Sequence, residues 1–200
     1  MNHVQTVIFD LSEVLIAGLL GIEGPLAEQL RLPADTIRPA FSNGLQELCC
    51  GRLTEDEYLE RILLRESWRI SREQLKRVIR CNFHHQVPGM QPILDRLRRR
   101  YQLVLMSDHA REWMAYIRTI PSFFDKFAVC FLSYELGQTK TSAAAFTMVL
   151  DRLERPAHAC LLVDDSERNV AVARSVGIRG VRFVDSVNLR LQLRQAGLAL

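Results

Sequence analysis

The chain has 200 residues, 48% of them hydrophobic, with 26 basic and 23 acidic side chains and a formal net charge of +3. That length and apolar fraction fit one ordinary domain, or a core domain with a small insertion, able to bury a sizeable core. The mild charge argues against nucleic-acid or membrane-surface binding, which needs a clustered basic face, and no stretch reaches the roughly 18 apolar residues of a membrane span.

The first apolar run, VQTVIF at 4–9, reads as a buried strand that stops on Asp10. Residues 17–86 contain no convincing strand. They carry helix starts instead: TEDE at 54–57 and SREQ at 71–74 match the capping box, in which a Ser or Thr and a Glu or Gln three places on satisfy each other's backbone amides. Pro88 and Gly89 mark the return, and MQPILDRLRRRY is the helix leading into the second strand, QLVLM at 102–106. Strands follow at AVCFL (128–132), ACLLV (159–163) and GVRFV (180–184), separated by the helical patterns HAREWMAYIRTI, TSAAAFTMVLDRL and SERNVAVARSVG. Gly177 is the expected stop of the last of these. Alternation of strand and helix predicts an α/β fold with a parallel sheet covered on both faces.

Chemistry gathers where strands end. The first strand ends at Asp10, the second at Ser107 and Asp108, the fourth at Asp164 and Asp165. Ligands bind outside the carboxyl ends of an open parallel sheet, near the point where strand order reverses. If the first and fourth strands are neighbours, Asp10, Asp164 and Asp165 converge there, and unpaired carboxylates resist ionising together. A divalent cation resolves the conflict, and all-oxygen ligation suits Mg²⁺. Lys140, in ELGQTKTSAAAF, is placed to neutralise the cluster and hold a phosphate oxygen. Taken singly, each aspartate could be a helix cap and Lys140 an ordinary loop lysine; the repeated placement at separate strand ends distinguishes them.

Other signals are weak. The five cysteines show no C-x-x-C spacing, which argues against a zinc site or disulfide framework and for buried thiols in a reducing compartment. With no secretory signal pattern at the N-terminus, a cytoplasmic location is expected. GLLGIEG at 18–24 is not a dinucleotide-binding loop. His84 and His85 lack ligand partners nearby in sequence and are expected at a hinge or surface.

In order, VIFDLSEVL, LVLMSDH, the lysine of GQTKTSAAAF, and LLVDDSERNVAVARSVGI resemble the four motifs of the haloacid dehalogenase superfamily, and the resemblance covers the whole chain. GRLTEDEYLERI resembles a helix of the small helical cap found in the phosphoglycolate-phosphatase-like and epoxide-hydrolase-N-domain-like branch. The resemblance implies a Rossmann-like core from residues 1–16 and 87–200, strand order 3-2-1-4-5, and a helical cap from 17–86. It implies a phosphatase acting on a small phosphate ester as a monomer or homodimer. Asp10 would be the nucleophile. Mg²⁺ would bind Asp10, the backbone carbonyl of Ser12 and Asp165, with Asp164 ligating or just behind. Ser107 and Lys140 would hold the phosphoryl group beside Asp108, and Asn169 would support the metal site.

The first motif departs from the family's usual D-x-D-G-[TV]: here it is Asp10-Leu11-Ser12-Glu13-Val14. The second aspartate of that pattern protonates the leaving alkoxide, a role a serine hydroxyl does not fill near neutral pH. Losing such an acid/base typically costs about 10² to 10⁴ in rate. Asp108 replaces a common asparagine and Thr141 a common proline. The readings left open are a phosphatase that is slow or confined to good leaving groups, with or without Glu13 as proton donor; a metal-free 2-haloacid dehalogenase; a non-catalytic phosphate- and metal-binding module; and a receiver-type phosphoacceptor.

Overall fold

The computed structural model describes residues 3–121 and 123–200; Met1, Asn2 and Ser122 lie outside the described residues. Five parallel strands form one sheet: β1 (Thr6–Phe9), β2 (Gln102–Ser107), β3 (Val129–Leu132), β4 (Cys160–Asp164) and β5 (Arg179–Arg182). Their order is β3-β2-β1-β4-β5, as expected. Each predicted apolar run overlaps its strand: β1 and β3 lie within their runs, β2 and β4 extend one residue further to Ser107 and Asp164, and β5 begins one residue early and ends at Arg182.

Strand alternation sends side chains to two buried faces. Val7, Phe9, Leu103, Leu105, Leu161 and Val163 join one core. Ile8, Val104, Met106 and Leu162 join the other. Full burial of one such side chain, Phe9 for instance, stabilises by about 1.5–3 kcal/mol.

Between β1 and β2 lie α1 (Glu23–Leu30), α2 (Ala34–Ala40), α3 (Leu45–Cys49), α4 (Glu55–Glu66), α5 (Arg72–Asn82) and α6 (Met90–Leu97). Both capping boxes form, Thr54 with Glu57 at α4 and Ser71 with Gln74 at α5. After β2 come α7 (Arg111–Ile117), a single turn α8 (Ser133–Leu136), α9 (Ala143–Leu153), α10 (Glu167–Ser175) and α11 (Ser186–Gln195). Gly177 follows α10 with φ 87°, a left-handed conformation that glycine adopts without cost. Among the described residues, no helix is long and apolar enough to cross a membrane.

A buried carboxylate ties α4 and α5 to α7. Glu55 is 1% exposed. It accepts the Trp113 indole N–H at 2.9 Å and Arg80 at 2.8 Å, with Lys76 at 3.7 Å. The carboxylate is therefore charge-balanced and fully bonded despite its burial. His84 and His85 are exposed, and His84 shares a 2.8 Å hydrogen bond with Tyr116 of α7. All five cysteines are free thiols; Cys49, Cys50 and Cys160 are buried, Cys130 is half-buried and Cys81 is exposed.

Candidate active site

Strand register brings the acidic groups together. Phe9 is paired with Val163 and Leu105, so Asp10, one residue on, continues beside Asp164, and its N–H donates to the Val163 carbonyl at 2.9 Å. Asp10, Asp164 and Asp165 each offer a carboxylate oxygen within 4.8 Å of the others. Lys140 reaches into the cluster: its ammonium, 1% exposed, lies 2.6 Å from Asp10 Oδ2 and 2.7 Å from Asp164 Oδ2. The Leu11 amide holds Asp10 Oδ1 at 2.7 Å.

The neighbouring candidates have distinct surroundings. Asp164 accepts from the Ser166 amide at 2.9 Å and from Asn169 Nδ2 at 3.1 Å, which places Asn169 behind the cluster as a support. Asp165 makes no ion pair among the described residues. Asp108 receives the Lys140 backbone N–H on both carboxylate oxygens, at 3.1 and 3.0 Å. The Ser107 hydroxyl is buried with no hydrogen-bond partner among the described residues. The Ser12 carbonyl accepts no hydrogen bond among the described residues.

These contacts leave the cluster short of positive charge. Burial raises the Asp10 carboxyl well above its usual range; Lys140 opposes this, while Asp164 and Asp108 add to it. Asp108 and Asp165 are raised as well, chiefly by burial. Burial works against the Lys140 ammonium, yet Asp10, Asp164 and Asp108 together hold it above its ordinary value. Four carboxylates face one ammonium. A divalent cation meets that deficit, and the donors present are oxygens, as Mg²⁺ prefers; the residues fit the ion.

Two features of the first motif emerge only in three dimensions. Glu13 stands where the family pattern has glycine, and its φ of 61° is left-handed. The Glu13 carboxylate accepts the Gly18 and Leu20 amides at 2.9 and 3.1 Å, which offsets the strain and commits the group to the following loop. Glycine at 18 permits this closure, since a Cβ there would lie 2.8 Å from Ser12 Cβ and Oγ. Glu13→Ala is expected to destabilise the protein by about 1–3 kcal/mol, because it keeps the strain and loses both bonds. Glu13→Gly should cost less. Urea denaturation compares them, and equal midpoints would show that the left-handed backbone carries no penalty.

The second feature is His109, which closes the LVLMSDH motif and opens the next helical pattern but was given no role there. It is 2% exposed. Its Nε2 and Ser12 Oγ share a 2.9 Å hydrogen bond, and Nδ1 has no partner among the described residues. Phe83 and Trp113 meet the ring edge-to-face at 5.6 and 5.8 Å. Burial, with Lys140 nearby, lowers its pKa to about 3, so the ring is neutral. The available signal was position, two residues beyond Ser107 at a strand end.

A cavity of about 450 Å³ opens on these groups. Ser12, Asp108, His109 and Thr139 line its core side; Leu19, Leu45, Cys49 and Phe83 line the side formed between β1 and β2, and Trp113 closes the wall. Burial raises the Cys49 thiol, keeping it protonated. A second space, of about 610 Å³, reaches Asp165 and Glu13 and shares Leu19, Ser42 and Leu45 with the first.

Comparison with known proteins gives one family. The family model for haloacid dehalogenase-like hydrolases matches residues 4–177. A HAD family enzyme from Bacteroides thetaiotaomicron, crystallised as a magnesium complex, aligns with TM-score 0.78 and 21% identity over 96% of this chain and 98% of that one. The same enzyme with magnesium and inorganic phosphate gives TM-score 0.72 and 21% identity, covering 91% and 95%. A HAD-like family hydrolase from Porphyromonas gingivalis aligns with TM-score 0.77 and 19% identity, covering 98% and 99%. A 2-haloacid dehalogenase from Pseudomonas syringae reaches TM-score 0.58 at 20% identity, covering 90% and 86%. At these identities the likeness is one of fold.

Proposed function

Because the chain belongs to the haloacid dehalogenase-like hydrolases, we propose that it is a Mg²⁺-dependent phosphatase that hydrolyses a small phosphomonoester through an aspartyl-phosphate on Asp10. The observation that carries this reading is the approach of the Asp10, Asp164 and Asp165 carboxylate oxygens to within 4.8 Å of one another, with the Lys140 ammonium against Asp10 and Asp164. Asp10, Asp165 and the Ser12 carbonyl would hold the ion, with Asp164 beside them. When bound, Mg²⁺ supplies positive charge against the phosphoryl oxygens.

The remaining work falls to the chain. The Leu11 amide and Lys140 orient the Asp10 carboxylate for in-line attack on phosphorus. Ser107, whose hydroxyl has no partner among the described residues, donates to a phosphoryl oxygen. Lys140 balances the charge that spreads over the phosphoryl group in the transition state. Residues 17–86 act as a cap that helps to exclude water and select the substrate. The phosphate complex of the Bacteroides enzyme supports the ligand class by analogy.

The test is turnover of p-nitrophenyl phosphate with Mg²⁺ and with EDTA. Release of phosphate is expected with the metal and its loss in EDTA. Mg²⁺ at about 100 times its Kd should also stabilise the fold by about 2.7 kcal/mol, read as a rise in Tm. Halide release from 2-haloacids in EDTA would establish the dehalogenase instead. Binding of a fluoride-type phosphate mimic without turnover would establish a non-catalytic module.

A further inference from the structure

Resting on the phosphatase reading, we infer that the substrate's leaving oxygen is one that departs as a stable anion, phenolic, enolic or carboxylic, carried on an uncharged apolar body. Two independent observations lead there: the absence of a free proton donor at the leaving-group side, and the character of the cavity wall.

The proton donor comes first. Ser12 occupies the place of the acid that would protonate the leaving oxygen, and its hydroxyl is engaged by His109 at 2.9 Å. Glu13, the nearest carboxylate in sequence, is turned into the following loop and bonded to the Gly18 and Leu20 amides. Among the described residues lining the cavity, Asp108 is the one carboxylate, and both its oxygens accept the Lys140 amide. A leaving group that needs a proton to depart therefore finds none in place.

The wall comes second. Leu19, Leu45, Phe83 and Trp113 supply its apolar surface, and Arg168, exposed, is the one cation on it among the described residues. Leaving aside Asp165, whose charge the ion would offset, the described residues of the adjoining space carry Glu13, Glu23 and Asp35 against Arg38, a balance that favours an anionic ester entering the first cavity instead. A cationic body would find no counter-charge there but Asp108, already bonded to the Lys140 amide, and an anionic one would find only the exposed, solvated Arg168, a weak return for the hydration lost against the apolar wall.

The chemistry balances without an acid. In the first transfer the Asp10 O–P bond forms as the bond from phosphorus to the organic oxygen breaks. The electron pair leaves on that oxygen, which departs unprotonated. In the second, a water oxygen attacks phosphorus and the Asp10 O–P bond breaks, its electron pair returning to the carboxylate. The surplus proton of the water leaves with the released phosphate.

The test is kcat/KM, which reports the first transfer, for phenyl phosphate and cyclohexyl phosphate with Mg²⁺ present. The two bodies are alike in size and apolarity and differ in leaving-group acidity. Phenyl phosphate is expected to be favoured by at least about 10²-fold, and Ser12→Asp to narrow the gap as protonation returns. 4-Carboxyphenyl phosphate, with a charged body, should be turned over at least about tenfold less well than phenyl phosphate. A phenyl-to-cyclohexyl gap below about tenfold in the wild type would mean that some group, Asp108 included, delivers the proton, and it would overturn the inference while leaving the phosphatase reading intact. Equal use of the carboxylated ester would overturn the apolar-body claim. No phosphorylation of Asp10 by any of these esters, or by benzoyl phosphate, would overturn both readings.

Discussion

Replacing Asp10 with Asn is expected to lower kcat for p-nitrophenyl phosphate by about 10⁴-fold or more, with little change in Tm. An amide nitrogen or oxygen does not attack phosphorus as a carboxylate does, so the first covalent step is lost. The fold should tolerate the change. The new side chain has nearly the same shape and keeps an oxygen for the Leu11 amide. It is neutral at a site where burial already disfavours the carboxylate. Lys140 loses one partner but keeps Asp164 at 2.7 Å. Activity within tenfold of wild type would remove Asp10 from the nucleophile's role.

Lys140→Met is expected to have the largest effect on stability, about 3–5 kcal/mol, measured by urea denaturation in EDTA. Lys140 is 1% exposed, and its ammonium is the counter-charge within contact of Asp10 and Asp164. Methionine fills much the same space, so the loss reports charge rather than packing. The pH dependence follows from linkage. Without the ammonium, the folded-state pKa values of Asp10 and Asp108 rise further above their unfolded values. The folded state then binds more protons than the unfolded one, and stability declines as pH rises through that interval. The penalty should therefore be smaller near pH 5 than near pH 8. Mg²⁺ should recover part of it, because the cation supplies the missing charge. A loss below about 1 kcal/mol in EDTA at pH 8 would show that the carboxylates do not depend on Lys140.

How much of this was legible in the chain differs from residue to residue. The approach of Asp10 to Asp164 and Asp165 was readable because each ends an apolar run, and parallel neighbours in register carry their last residues to the same rim. Lys140 was readable as a candidate but not as a buried group, since loop position alone says nothing of burial. Glu13 was left open as a proton donor; its carboxylate is instead bound by amides five and seven residues on, a geometry set by the left-handed turn at its own backbone. His109 went unnoticed because its partner, Ser12, is 97 residues away.

Local sequence was enough for the α/β architecture, the approximate strand positions, the capping boxes at Thr54 and Ser71, and the acidic groups that stand at strand ends. Those features follow from local periodicity and from hydrogen bonds between residues three or four apart. That Ser12 bonds to His109, that Glu55 fastens α4 and α5 to Trp113, and that apolar side chains line the cavity shared by Ser12 and Asp108 came from the tertiary packing. Such contacts join residues distant in the chain, and they depend on how whole elements pack, which no short window of sequence contains.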